Sequence, residues 1–161
     1  MRIIVVSDTH GLYSRLHAVI MRNLKADAFI HLGDGETEYQ QLLRSFPEIE
    51  GRFYYIKGNC DYGSQAPLFR TLDIVPGHRI FATHGHRYGV NFDLGTLITT
   101  AKENGCDIAL YGHTHVMKST YEDGVHILNP GSASSPRDGN PASYGFIDIT
   151  PAGVFTNNVF I

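Results

Sequence analysis

Apolar residues follow two rhythms along this chain. Three short continuous runs, Ile3–Val6, Ala28–Leu32 and Phe53–Ile56, predict buried strands. Between them, Leu12, Leu16, Val19 and Ile20 recur at i, i+4, i+7 and i+8, one stripe of a helix. Tyr39, Leu42, Leu43 and Phe46 give a second stripe, which Pro47 ends. Strand and helix alternating at this interval predict a parallel βαβαβ unit. The second half is richer in strands. Leu68–Val75 and Arg79–Ala82 read as strands joined at the Pro76-Gly77 turn. Leu94, Leu97, Ile98 and Ala101 form a third helical stripe, and Ile108–Tyr111 is a further strand. Met117–Tyr121 and Val125–Leu128 make a hairpin across Glu122-Asp123-Gly124; Tyr144–Ile149 and Val154–Ile161 pair across Pro151-Ala152-Gly153. Two sheets packed face to face, with helices outside, satisfy both halves. Val154–Ile161, apolar and last in the sequence, is expected at a sheet edge, available for pairing between subunits of a homo-oligomer.

Composition narrows the class. The 161 residues and 17.9 kDa suit one domain over 1–161, large enough to bury about 70% of its unfolded surface. A chain 42% hydrophobic and 18% charged folds rather than staying disordered. Thirteen cationic residues against 16 anionic ones, with no basic run, exclude a general nucleic-acid binder. Two cysteines are too few for a disulfide framework. The opening run Ile3–Val6 is too short for a signal peptide or a membrane span, so the expected location is cytoplasmic, with no membrane partner. Nine histidines are out of line and raise a metal hypothesis, because neutral imidazole is a common ligand.

Five of the apolar runs end alike. They lead into Ser7-Asp8-Thr9-His10, Gly33-Asp34-Gly35, Gly58-Asn59-Cys60-Asp61, Thr83-His84-Gly85-His86 and Gly112-His113-Thr114-His115. In open α/β sheets the ligand crevice lies at such carboxyl ends. Convergence there would gather Asp8, His10, Asp34, Asn59, His84, His113 and His115. Each motif alone reads more readily as turn chemistry. His-x-His past a strand is stronger, since i and i+2 point to one side. The conjunction decides for metal. A donor set of oxygen and nitrogen without cysteine suits Mn, Fe, Ni or Zn, and seven donors suffice for two ions if one carboxylate bridges.

Asp8-x-His10, Gly33-Asp34, Gly58-Asn59-Cys60-Asp61, His84-Gly85-His86 and Gly112-His113-x-His115 together resemble the ordered signature of the calcineurin-like metallophosphoesterases. Asn129-Pro130-Gly131-Ser132 extends the likeness to the small bacterial and archaeal phosphodiesterase branch, which also includes the retromer subunit of similar size. The resemblance implies an α/β, four-layer α-β-β-α sandwich of two mixed sheets. It implies two divalent metal ions, Mn first, with Ni, Fe, Zn or Mg as alternatives. Asp8, His10 and His115 would hold one and Asn59, His84 and His113 the other, with Asp34 between. It also implies a broad-specificity phosphodiesterase acting on a small diester through a hydroxide bridging the metals. The rival is a non-catalytic interaction scaffold with a vestigial site.

One departure stands out. Much of the family has histidine where this chain has Cys60, and an uncharged thiol is a poor stand-in for imidazolium, which favours good leaving groups. His10 is expected near the leaving oxygen, Asn59 among the catalytic ligands, and His86 as proton donor in place of the missing histidine. Cys60, Asp61 and Arg137 are candidates for substrate contact or ligand orientation. His17 and Cys106 read as packing, His31 and His126 as strand residues, and His78 as a turn residue. Tyr54, Tyr55, Phe155 and Phe160 are expected in the core or a subunit contact.

Overall fold

The computed structural model describes residues 1–161. In chain order the elements are β1 (Arg2–Val6), α1 (Tyr13–Arg22), β2 (Ala28–His31), α2 (Glu36–Ser45), β3 (Phe53–Tyr55), β4 (Phe69–Val75) and β5 (His78–Thr83). There follow α3 (Gly95–Glu103), β6 (Ile108–Leu110), β7 (Met117–Glu122), β8 (Val125–Pro130), β9 (Ser143–Thr150) and β10 (Gly153–Phe160). The first sheet has strand order β10-β9-β1-β2-β3 and the second β4-β5-β6-β8-β7. Both are mixed. β1, β2 and β3 run parallel, as do β5, β6 and β8, while β9, β10, β4 and β7 pair antiparallel.

The continuous apolar runs are explained by burial on both faces. Along β1, Ile3 and Val5 point between the sheets, where they meet Ile30, Ile80, Ile108 and Leu128. Ile4 and Val6 point the other way, onto Leu16, Val19 and Ile20 of α1 and Leu42 of α2. On the far side, Phe81, Ala109 and Ile127 receive Leu97, Ile98 and Ala101 of α3. Helix, sheet, sheet and helix thus form four layers around three apolar seams. Each fully buried Ile or Leu contributes roughly 2 kcal/mol.

The strand and helix pattern read from the sequence matches the structure, with differences at four places. Leu12 stands just before α1 and is exposed, so the buried stripe begins at Leu16. Pro47 does end α2, but the chain continues as a 3-10 segment, Pro47–Arg52, anchored by buried Ile49. His78 is the first residue of β5 rather than part of the turn, held by Asp107 with Nδ1 and Oδ2 2.6 Å apart. Phe155 and Phe160 lie half-exposed on the edge strand β10, so of the two places expected for them, the core and a subunit contact, the core is ruled out. No helix is long and apolar enough to cross a membrane.

Candidate metal centre

The turns after β1, β2, β3, β5 and β6 interlock. The Asp8 and His10 amides donate to the carbonyls of Gly33 and Asp34, and the Gly112 amide to that of His84. His84 Nδ1 donates to the Leu32 carbonyl at 2.7 Å and ties the two sheets together. Such close approach requires glycine. A Cβ on Gly112 would stand 2.9 Å from Asp8 Oδ2, and one on Gly58 would stand 2.8 Å from the Asp34 carboxyl carbon.

Six non-glycine residues adopt positive φ, and five of them are candidate ligands: Asp8 (56°), His10 (42°), Asp34 (57°), His113 (66°) and His115 (59°). The sixth, Asp123, sits in the β7–β8 hairpin turn. Left-handed backbone costs an L-residue about 1 kcal/mol or more, and such strain gathers where function over-determines geometry. It also corrects the strand rule applied to His113 and His115. Both lie beyond β6 and serve different groups rather than sharing one side.

His115 joins Asp8 and His10. Its Nε2 is 3.1 Å from Asp8 Oδ1 and 3.2 Å from His10 Nε2, and His10 Nε2 is 3.7 Å from Asp8 Oδ1. His84 sits on the other side, its Nε2 3.5 Å from Asp34 Oδ2, 4.0 Å from Asp8 Oδ1 and 3.1 Å from Asn59 Oδ1. The His113 ring lies 5.2 Å from that of His84. Asp34 faces both groups, 3.8 Å from His10 Nε2. All seven sequence-selected donors therefore converge. Asp8, Asp34, His84 and His115 are buried, whereas His10 and Asn59 are exposed, giving a closed floor and an open mouth.

The electrostatics of the floor call for a cation. A carbonyl only accepts, so His84 and His115, bonded through Nδ1 to the carbonyls of Leu32 and Ser135, carry their proton on Nδ1. In the neutral rings both Nε2 lone pairs then point inward, at Asp8 and Asp34. Asp8 Oδ1 is buried among them without a hydrogen-bond partner. Burial pushes the Asp8 carboxyl up, yet His10 and His115 when protonated, with the Ser7 hydroxyl, hold it below the usual carboxylate range. The Asp8 carboxylate raises His10 in turn. Acceptors facing acceptors in a buried pocket fit a divalent ion.

Supporting contacts fix this floor. Asp8 Oδ2 takes the Ser7 hydroxyl at 2.6 Å and the His113 amide at 3.1 Å, and Asp34 Oδ1 takes the Cys60 amide at 2.7 Å. Asp61 accepts the Tyr55 hydroxyl and the amides of Asp34, Gly35, Glu36 and Gly58, so it orients the Asp34 and Asn59 turns without touching the donors. Sequence reasoning missed three partners. Ser134 joins Ser132 in donating to the Asp8 carbonyl, Asn91 Nδ2 lies 3.2 Å from His113 Nε2, and buried Glu38 accepts the Thr9 hydroxyl and the Gly11 amide. Glu38 lies in an ordinary acidic helix start, so no local signal marks it. Cys60 Sγ is grouped with His10 and Asp34, and burial and Asp34 push its thiol up to about 11. His86 flanks the site, its ring 5.4 Å from that of His84 and its Nδ1 buried without a partner. Arg137 is exposed and touches the site through its amide, which donates to the His115 carbonyl. His31 is wholly buried, which lowers its imidazole to about 4.

Comparison with known proteins gives the family. The model of the calcineurin-like phosphoesterase superfamily domain matches residues 1–151. The chain belongs to that superfamily. The curated "Probable metallophosphoesterase YsnB" of Bacillus subtilis is 33% identical over 151 residues, covering 92% of this chain and 85% of that protein. Phosphodiesterase YfcE of Escherichia coli K12 is 34% identical over 120 residues, 69% of this chain and 60% of that one. A crystal structure from Streptococcus pneumoniae TIGR4, described as a "predicted phosphoesterase", superposes with a TM-score of 0.78 at 30% identity over 98% of this chain and 97% of that one. As a metallophosphoesterase, the chain is a metal-dependent hydrolase of phosphoric esters.

Proposed function

We propose that this metallophosphoesterase is a broad-specificity phosphodiesterase for small diesters with a dinuclear centre. The observation that carries the reading is the buried, unpartnered Asp8 Oδ1 among inward-facing imidazole nitrogens, with Asp34 reaching both groups. Asp8, His10 and His115 would hold one divalent ion, Asn59, His84 and His113 the other, with Asp34 shared; manganese suits this oxygen and nitrogen set. Bound divalent ions supply Lewis-acid polarisation of phosphoryl oxygens and hydroxide at neutral pH.

The protein's own part is placement and charge. Asp8 and Asp34 supply two buried negative charges, and the Nδ1 bonds of His84 and His115 fix the nitrogens that face them. Exposed His10 and Asn59 border the mouth, where a diester phosphate enters. His86, the proton donor expected from the sequence, lies at the edge of the His84–His113 group. Burial pushes its imidazole below the usual value, which disfavours the imidazolium that such a donor needs. The Cys60 thiol is neutral. With no cationic acid at the leaving group, phenolate-like leaving groups are favoured over alkoxides. The test is turnover of bis(p-nitrophenyl) phosphate with and without Mn²⁺. Metal-dependent release of p-nitrophenol is expected; no turnover with any divalent ion would overturn the reading in favour of a scaffold.

A further inference from the structure

A cleft of about 480 Å³ opens beside the metal centre and shares only Asn59 with the ligand set. Lys57, Asn59, Tyr62, Gln65, His86 and Arg87 line it. Asn59 joins it to the centre, since the same side chain lies 3.1 Å from His84 Nε2. The volume suits an organic group rather than a single water or ion.

Its charge runs against that of the whole chain, which is −3. Lys57 Nζ is held by the Ser64 carbonyl at 3.0 Å, which fixes the ammonium and leaves two donors free. Arg87 is exposed, and the arginine ion pairs of the chain are Arg2–Asp148 and Arg79–Asp73, so its guanidinium is unpaired. The cleft's one carboxylate, Asp61, is engaged by five donors and neutralises neither. Tyr62, 90% exposed, is an uncovered aromatic face at the rim.

We propose that this cleft is a subsite for one arm of the phosphodiester, an organic arm carrying a second anionic group read by Lys57 and Arg87. The inference rests on the hydrolytic reading above and adds the substrate class: diesters with a carboxylate or phosphate on one arm, in preference to neutral or cationic ones. Guanidinium presents a planar fork to either anion.

The test uses three p-nitrophenyl diesters sharing one leaving group, with 2-carboxyethyl, propyl and choline arms, assayed with Mn²⁺ at low ionic strength. The kcat/KM is expected to rise about fivefold from propyl to carboxyethyl, with choline lowest, and the spread should shrink as salt is added. Lys57→Gln and Arg87→Gln should level the series, and Arg87→Glu should invert it. An order independent of arm charge, or unchanged in Arg87→Glu, would overturn the proposal. A binding measurement separates this from failure of the hydrolytic reading. In metal-free protein, 2-carboxyethyl methyl phosphate should shift NMR signals of Lys57, Tyr62 and Arg87 more than dimethyl phosphate does. Selective shifts without turnover would sustain the subsite while ending the enzymatic reading; equal shifts from both probes would end the subsite.

Discussion

Replacing Asp61 by asparagine removes one oxygen from a carboxylate that five donors share. Oδ2 accepts the Tyr55 hydroxyl at 2.7 Å and the amides of Gly58 at 2.7 Å and Asp34 at 3.0 Å. Oδ1 accepts the amides of Gly35 at 3.1 Å and Glu36 at 3.2 Å, the open head of α2, which has no side-chain cap of its own. The asparagine oxygen can serve the first three. Its amide then faces the Gly35 and Glu36 N–H groups as donor against donor; Gly35 keeps the Tyr55 hydroxyl oxygen at 3.0 Å as acceptor, whereas Glu36 is left unpaired. Leaving a buried donor unpaired costs about 1–3 kcal/mol, and the retained bonds lose their charge, so the loss is about 3–5 kcal/mol. Urea unfolding of metal-free protein at pH 7 reads it directly. The sign with pH follows from linkage. Burial pushes the Asp61 carboxyl up, but the Tyr55 hydroxyl and the backbone amides outweigh this and hold it below its ordinary value. A depressed folded-state value means the stabilisation is full above about pH 4, the unfolded value, and fades as pH falls through the folded one. The gap between wild type and Asp61→Asn should therefore be widest at neutral pH and close in acid. A loss under about 1 kcal/mol at pH 7 would refute the bracing role.

Four further outcomes are expected. Asp8→Asn should abolish metal-dependent activity yet leave metal-free protein at pH 8 no less stable than wild type, because an amide N–H gives the His115 Nε2 lone pair a donor; a loss above about 2 kcal/mol in urea would count against the acceptor-against-acceptor floor. Gly58→Ala should cost about 1–3 kcal/mol and at least tenfold in Mn²⁺ affinity by calorimetry, since the new Cβ presses on the Asp34 carboxylate. Mn²⁺ at about 100 times its dissociation constant should stabilise the fold by about 2.7 kcal/mol per bound ion in urea unfolding. Because ligand histidines must be neutral, calorimetric affinity should fall as pH drops from 8 to 6; a flat profile would contradict histidine ligation.

The hydrophobic pattern carried most of the fold because both faces of β1, β2 and β6 are buried, so runs such as Ile3–Val6 stand out from their surroundings. The 3-10 segment after Pro47 escaped notice, since it is short, polar and anchored by Ile49 alone. At the site, the donors were readable because chemistry demands particular side chains just past strand ends. What positions them was not. Glu38, Asn91 and Ser134 reach the centre from separate turns and helices, and their contacts arise only once the chain is folded. The left-handed backbone at Asp8, His10, Asp34, His113 and His115 likewise has no glycine or asparagine to announce it.

Crystals grown with Mn²⁺ and measured across the manganese absorption edge would locate the ions outright. Two anomalous peaks about 3.5 Å apart are expected, one against Asp8, His10 and His115 and the other against Asn59, His84 and His113, with Asp34 touching both. A single peak, or density away from Asp8 and Asp34, would contradict a dinuclear centre.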